Sequence, residues 1–595
     1  MKKNERCDMN SSQRLLIICL LALGLAPLVL PEFYVTLMCY IGLATLVVLG
    51  LVVMTGVAGI VSFGQQAFVG AAAYTTAGLT TLLGWSTWSS LAASILLVAA
   101  MAVLIGAVTL RLSGHYLSIA TIAWGIAIYY LFGNLPQLGQ YSGIDNLPAV
   151  SIGGWEFNTG RRAYFLIWTI TAAALVAAHN LLDSRAGRAV RSLRFRSVMA
   201  ESFGVNTAAL KLVIFVQAAV LAGLAGWLHA HYLRFVSPHA FGVNAGIDYL
   251  FMAVIGGASQ VWGAVVGAAI LTILKESLKE IVPIVLHTTA NYETIVFGAL
   301  MLLLLHRTRD GIAPAITRWL PKGAVPARPA EAPVPRLRLR PVHGTPLLVV
   351  DRLNKRFGGL VAVKDISFSI NAGEILGLIG PNGAGKSTVF NLLSGTLEAD
   401  SGSVKLLGSA IDGLPARTIA RSGMARTFQH VNLVSNMSVL DNVALGAYLR
   451  GAKGTLAAML RVDRSEEAQL LAEAARQIER VGLGEHMHDP AGSLPLGQQR
   501  IVEIARALAA DPLLLLLDEP AAGLRYGEKR ALSELLQRLR GEGLTILLVE
   551  HDMEFVMGLV DRLVVMEFGE KLAAGLPQEI QRNPAVIEAY LGGIE

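Results

Sequence analysis

The chain has 595 residues, 54% of them hydrophobic against 15% charged, and a net charge of +6. That length is too great for one core, and the excess charge does not mark a nucleic-acid surface. Eight basic residues (Arg307, Arg309, Arg318, Lys322, Arg328, Arg336, Arg338, Arg340) against two acidic ones (Asp310, Glu331) account for all of it within Arg307 to Leu347.

The N-terminus is basic and runs into an apolar stretch from Leu15 to Leu30, read as a retained first span because more apolar segments follow at once. From Phe33 to Leu110, 78 residues pass without Asp, Glu, Lys or Arg. A charge at a helix centre costs about 2.5–3.5 kcal/mol on insertion scales, so only a membrane explains such a run. Ten apolar segments are expected, at about 15–30, 34–56, 65–84, 89–110, 116–133, 163–182, 209–230, 243–258, 261–281 and 291–306. An even number returns the chain to its starting side. The basic N-terminus, Arg111, the loop DSRAGRAVRSLRFR, Arg307 and Arg309 then lie inside, whereas Arg161, Arg162, Lys275 and Lys279 fall outside, against the positive-inside rule. The break IGGASQVWGA near Gly256 also suits a re-entrant turn. Of the three cysteines, Cys7, Cys19 and Cys39, two sit in apolar spans, and their spacing suits neither a metal nor a disulfide framework.

The segment from Gly187 to Gly204 carries Arg188, Arg191, Arg194 and Arg196 beside Val190, Leu193, Phe195, Val198 and Met199. This pattern predicts one short amphipathic helix in a cytoplasmic loop. After the last span the text turns proline-rich and basic, which predicts an extended spacer suited to the anionic cytoplasmic leaflet and its lipid. The division expected is therefore a cytoplasmic N-terminus at 1–14, an all-α polytopic membrane domain at 15–306, a linker at 307–346 and a soluble α/β domain at 347–595.

Within that last domain, ILGLIGPNGAGKSTVFNLLSG reads as strand, glycine-rich turn and helix. Gly380, Gly385, Lys386 and Ser387 satisfy the phosphate-loop spacing, and Asn382, Gly383 and Thr388 complete the cradle. Glycines let backbone N–H groups face the phosphates at a positive helix end, Lys386 adds a point charge, and the Ser387 hydroxyl suits Mg²⁺. Downstream, LLLLLDEP predicts a buried parallel strand whose C-terminal end presents Asp518 to the magnesium shell and Glu519 to the attacking water. A further strand, LTILLVE, delivers His551, whose imidazole is placed to sense the terminal phosphate.

In order, RFGGLVAV with Phe357, ARTFQ with Gln429, LPLGQQRIVEIARAL, DEPAAGL and LLVEHDM resemble the motifs of ABC ATPases across the whole soluble part. The resemblance implies an ATP hydrolase with a P-loop NTPase fold. Phe357 would stack on adenine, Gln429 would link Mg²⁺ to the membrane contact, and the loop with Leu494, Gly497 and Gln498 would reach the ATP of a second ATPase domain. Pro495 replaces the usual serine of that loop, and Arg525 replaces the usual polar residue after DEPAAGL, so the two composite sites are expected to differ in activity.

More narrowly, FGGLVAV, GQQRIVEIARAL and RNPAVIEAYLG resemble the ATPase of branched-chain amino acid importers. SFGQQAFVGAAAYT, GRAVRSLRFRSVMAESFGVNTAALKLVIFV, AGLAGWLHAHYLRFVSP and VIGGASQVWGAVVGAAIL are similar to a permease of the same system. The resemblance implies a permease fused to its ATPase in a bacterial inner membrane, with the Gly187–Gly204 segment as coupling helix. It also implies an external solute-binding protein and a second permease and ATPase, or a second copy of this chain. Import of urea or short amides is the alternative within transport, and a homodimeric half-exporter the alternative outside it.

Overall fold

The computed structural model describes residues 23–112, 114–195, 197–286, 293–307, 311–312 and 328–591. They form two compact units, one holding residues up to Leu182 and again from Ala208 to Val325, the other holding Asp183–Thr207 with Pro326–Glu595.

The first unit is helical. Its helices are Glu32–Leu51, continued by a wider turn at Val52–Val57, Gln65–Ala77, Thr87–Thr109, His115–Asn134, Gly160–Leu182, Thr207–Leu233, Val243–Gly256, Val261–Leu286 and Glu293–Arg307. These match the second to tenth expected segments. The first expected segment lies largely in residues 1–22, outside the described residues, as do Cys7 and Cys19. Six of the helices are long and apolar enough to cross a membrane. Val243–Gly256, at 14 residues, is shorter. At 1.5 Å per residue it spans about 21 Å, less than a hydrocarbon core of about 30 Å. It stops at the IGGASQVWGA break and the chain returns as Val261–Leu286.

One helix of this unit has faces sorted largely by size. Thr87–Thr109 buries Thr87, Ser90, Ser94, Ala102, Gly106 and Thr109 along with Val98 and Ile105, while Leu96, Leu104 and Val108 face outward. Small residues let backbones approach where burial of apolar surface cannot drive packing. Their hydroxyls are satisfied locally, as Thr109 Oγ1 donates to the Ile105 carbonyl at 2.7 Å.

The second unit is built on a six-stranded sheet in the order Glu570–Gly575, Arg562–Glu567, Ile375–Ile379, Thr545–Val549, Leu514–Asp518, Met424–Arg426. All neighbours run parallel except the first pair. Ile375–Ile379, Leu514–Asp518 and Thr545–Val549 are buried throughout, as runs of leucine and isoleucine without alternation require when helices cover both faces. Leu496–Ala509 and Tyr526–Gly541 cover one face with Ile504, Leu508, Leu532 and Leu536, and Lys386–Leu393 covers the other with Val389 and Phe390. An antiparallel sheet of Leu360–Asn371, Pro346–Phe357, Ser401–Leu406 and Ser409–Ala410 lies beside it.

Two expectations need correction. The Gly187–Gly204 segment is two helices, Arg185–Leu193 and Ser197–Ser202; Arg196, between them, lies outside the described residues. The linker is not a free spacer along its described part. Arg338 donates its backbone N–H to Asp511 Oδ2 at 2.6 Å and its guanidinium to the carbonyls of Ala510 and Asp511. Arg340 pairs with Asp511 at 2.9 Å, and Arg328 pairs with Glu479 at 2.9 Å. These charges are spent on the soluble domain rather than held for lipid. Arg309, Arg318 and Lys322 lie outside the described residues.

Candidate functional site: the nucleotide cavity and its docking groove

The strand Ile375–Ile379 ends in a loop whose backbone only glycine tolerates. Gly380 has φ of 151° and Gly385 has φ of 94°. A Cβ on either would come within 2.3 Å of a carbonyl oxygen, Met566 O at 2.1 Å and Ala362 O at 2.3 Å. Gly385 caps the helix Lys386–Leu393, so the helix N-terminus points its unpaired N–H groups into the loop. Lys386 is buried and its Nζ donates to the carbonyls of Gly380 at 2.7 Å and Pro381 at 2.9 Å. Burial lowers its pKa, and the Glu519 and Asp518 carboxylates oppose that.

A cavity of about 510 Å³ brings together Phe357, Asn382, Gly383, Gly385, Lys386, Ser387, Thr388, Gln429 and Glu519. Nine expected residues that lie between positions 357 and 519 thus share one wall, within the 300–1,000 Å³ typical of small-molecule sites. Gln429 Nε2 donates to Glu519 Oε2 at 3.1 Å. Glu519 sits at φ of 45°, a conformation that costs a non-glycine residue roughly 1–3 kcal/mol and recurs at functional sites. It is held there from both sides: its N–H donates to the Val549 carbonyl at 2.9 Å, and its carbonyl accepts from Arg500 at 3.0 Å. Arg500 also donates to the Gln429 carbonyl at 3.3 Å. His551 is half exposed, with Nδ1 4.0 Å from Glu519 Oε2 and 3.7 Å from Glu550 Oε2.

Asp518 ends the strand Leu514–Asp518 and is 6% exposed. Burial pushes its pKa up to about 6; Arg426 and Lys386 pull it down, and the Glu519 and Glu550 carboxylates push it further up. Its Oδ1 has no hydrogen-bond partner among the described residues. An orphaned buried carboxylate oxygen beside a phosphate loop fits a hard cation.

Leu494, Gly497 and Gln498 do not line this cavity. Pro495 caps the helix Leu496–Ala509, Leu494 and Gly497 are buried, and Gln498 meets His486 at 3.3 Å. Arg525 caps the next helix, its N–H donating to Glu528 at 2.8 Å.

Three residues at the site were assigned no role from the sequence: Arg500, Glu550 and Arg426. Glu550, fully buried, accepts from the N–H groups of Ala521 at 2.6 Å and His551 at 3.1 Å, tying together the loops that follow Leu514–Asp518 and Thr545–Val549. Arg426 donates to Asn391, Ser394 and Thr396 and lies 4.5 Å over the Phe428 ring. Arg500 lies inside GQQRIVEIARAL, Glu550 inside LLVEHDM and Arg426 inside ARTFQ, but nothing in those stretches distinguished them from their neighbours.

The second unit also contains a docked segment. Arg185 donates to the carbonyls of Tyr448, Gly451 and Lys453 and lies 4.5 Å over the Tyr448 ring. Arg188, 3% exposed, forms a two-pronged pair with Glu467, whose Oε2 also accepts the Arg185 N–H at 3.0 Å. Arg506 lies 4.9 Å over the Phe203 ring and donates to the Asn432 carbonyl at 2.8 Å, three residues beyond Gln429. The dominant anchors are Arg185, which preceded the predicted helix, and Arg188.

The model of the "Branched-chain amino acid transport system / permease component" family matches residues 33–305. That of "ABC transporter" matches 363–522, and that of "Branched-chain amino acid ATP-binding cassette transporter" matches 570–595. The high-affinity branched-chain amino acid transport ATP-binding protein LivG of Salmonella typhimurium is 46% identical over 250 residues, 42% of this chain and 98% of that protein. The chain belongs to the branched-chain amino acid family of ABC transporters. BraF of Pseudomonas aeruginosa is 43% identical over the same shares of the two chains. A solved nucleotide-free ATP-binding cassette from an ABC transporter is 30% identical over 42% of this chain and all of that one, with a TM-score of 0.38. Permease and cassette are joined in one ABC transporter chain, in which the cassette binds ATP and couples its hydrolysis to transport. The permease half is a membrane domain and the cassette is cytoplasmic.

Proposed function

We propose that this chain imports branched-chain amino acids across a bacterial inner membrane. An external solute-binding protein would deliver the cargo, and a second permease and cassette, or a second copy of the chain, would complete the assembly. One observation carries the reading: permease and cassette match models of the same transport system within one chain. Two halves encoded together for different cargoes would be a mismatch with no use.

The cavity supports a division of labour. Phe357 gives a purine a flat face without reading its edges. The loop N–H groups and Lys386 hold the phosphates, and Mg²⁺, when bound, would take Ser387, Gln429 and the free Oδ1 of Asp518 and neutralise phosphate charge. Glu519, fixed by Arg500 and within reach of Gln429, is the group to orient and deprotonate water, and His551 stands beside it to meet the terminal phosphate. Leu494, Gly497 and Gln498 would complete the site of the opposing cassette, with Pro495 and Arg525 altering one half of it. The Gln429 carbonyl held by Arg500, and the Arg506 link from Phe203 to Asn432, join nucleotide state to the docked segment.

Uptake of labelled leucine, isoleucine and valine in a strain deleted for this chain tests the reading. High-affinity uptake is expected to vanish and to return only with a full chain carrying Lys386. Untouched leucine uptake with lost urea or amide uptake would give the cargo to that class instead, and loss of efflux alone would overturn import.

A further inference from the structure

The membrane unit contains a pair of opposite charges that the nucleotide machinery leaves unused. Asp248 lies on the short helix Val243–Gly256 and Lys275 on the returning helix Val261–Leu286, and their side chains form an ion pair. Lys275 is thus no exception among outside loops; it sits 14 residues into a helix, about 21 Å along its axis. Each charge within a span costs about 2.5–3.5 kcal/mol on insertion scales. Ionisable residues kept inside membrane helices characteristically face cavities and mark the paths of cargo.

A cavity does open at this pair. About 440 Å³ is lined by Asp248 and Lys275 together with Asn244, Ile247, Phe251 and Phe297, and by Lys279, whose ammonium is paired with Glu276 at 3.0 Å. The Lys275 ammonium stands 4.9 Å over the Phe297 ring. One wall is therefore a carboxylate beside an ammonium, and the rest, Asn244 and Lys279 apart, is aliphatic and aromatic. That is the complement of an α-amino acid with an apolar side chain. Its ammonium would meet Asp248, its carboxylate would meet Lys275, and its hydrocarbon would rest against Ile247, Phe251 and Phe297. Inserting a zwitterion replaces one ion pair by two and leaves the net charge of the site unchanged. Urea or a short amide brings no charges to separate the pair.

We propose that Asp248 and Lys275 form a binding station for zwitterionic amino acids within the membrane half. The proposal deepens the import reading and rests on it. Two measurements on the full chain test it. In a strain whose leucine uptake depends on this chain, Asp248→Asn, Lys275→Gln and the double variant, compared at equal membrane content, are each expected to lose at least tenfold in labelled leucine uptake. A double variant restored to within twofold of the unmodified chain would mean that the pair only neutralises itself, and would overturn the station. Independently, Asn244→Cys in a background with Cys7, Cys19 and Cys39 replaced by Ser gives an alkylation probe at the cavity wall. Leucine is expected to slow its labelling, with leucinamide and 4-methylpentanoate, which each lack one charge, needing at least tenfold higher concentrations. Labelling indifferent to leucine overturns the proposal. Unchanged leucine uptake after deletion of the whole chain is a different failure, that of the import reading itself.

Discussion

A central strand of the cassette and a membrane helix of this chain bury different residues. In the cassette, Leu514 to Leu517 are fully buried and make up all of their strand but the terminal Asp518. In the membrane helix Thr87–Thr109, the inward face collects Ser90, Ser94, Ala102 and Gly106 while Leu104 stands 70% exposed. The difference is the solvent. Water drives leucine inward at roughly 25 cal/mol per Å², whereas lipid is as apolar as leucine and leaves close packing and hydrogen bonding to hold helices together. Chemistry follows the same division: the cassette concentrates charges at the ends of its strands, and the membrane half carries few and pairs Asp248 with Lys275.

The largest expected effect separates chemistry from scaffold inside the cassette. Glu519→Gln keeps the phosphate loop and the Arg500 clamp, which holds backbone carbonyls only. ATP binding is expected to persist while hydrolysis falls by roughly 10² to 10⁴, the usual weight of a general base. Near-normal turnover in the assembled transporter would remove Glu519 from that role.

Next comes the docked segment, where the cassette accepts a buried charge only because it is paired. Removing one partner of a buried pair costs about 3–5 kcal/mol, since the other charge is stranded. Arg188→Ala is therefore expected to release the segment, abolishing uptake while the nucleotide cavity still hydrolyses ATP. Arg188→Ala with Glu467→Ala relieves the stranded charge and should recover stability but not transport. Measuring uptake and ATPase side by side decides it; both unchanged in Arg188→Ala would reduce the contact to packing.

That pair also shows what a sequence can and cannot reveal. The glycine-rich turn, the strand ends that carry Asp518 and Glu519 and the nine described apolar helices were legible because their spacing is imposed by local geometry: a turn of fixed length, a strand end, an unbroken apolar run. Glu467 was not, since it lies some 280 positions from Arg188 and nothing in its own helix distinguishes it from solvated glutamates. Arg338 and Arg340 misled for a related reason. A basic, proline-rich stretch looks solvated until Asp511 is brought beside it. The turn at Phe195 that divides the amphipathic segment into two helices was likewise hidden, because both helices keep the same apolar spacing.

The solvent contrast itself is open to direct attack. Leu515→Ala, at a fully buried cassette position, is expected to destabilise by about 2–5 kcal/mol. Leu104→Ala, facing outward in the membrane half, is expected to cost less than about 1 kcal/mol, as insertion scales give a central leucine only a few tenths. Cassette unfolding by denaturant and membrane content of each variant provide the readouts. Equal losses at both positions would mean that Leu104 is packed against protein in the assembly.

The smallest effect concerns how dry the cassette interior is around Asp518. Burial lifts that carboxyl to about 6 in the fold, against about 3.9 in an unfolded chain. Between those values the folded state keeps a proton that the unfolded state has lost, so stability falls as pH rises through the window, by up to about 1.4 kcal/mol per pH unit. Glu503 and Glu550 are raised by burial too and act in the same direction, so the total slope belongs to several groups and only a substitution isolates one. In nucleotide-free protein with magnesium chelated, cassette unfolding followed from pH 4 to 7 is expected to show Asp518→Asn gaining on the unmodified chain as pH rises. Its neutral amide carries no ionisation cost, so the gap should be smallest near pH 4 and widest above pH 6. A constant gap across the range would mean that water reaches Asp518 freely, and the cassette would then share less of the low-dielectric character that its buried leucines imply.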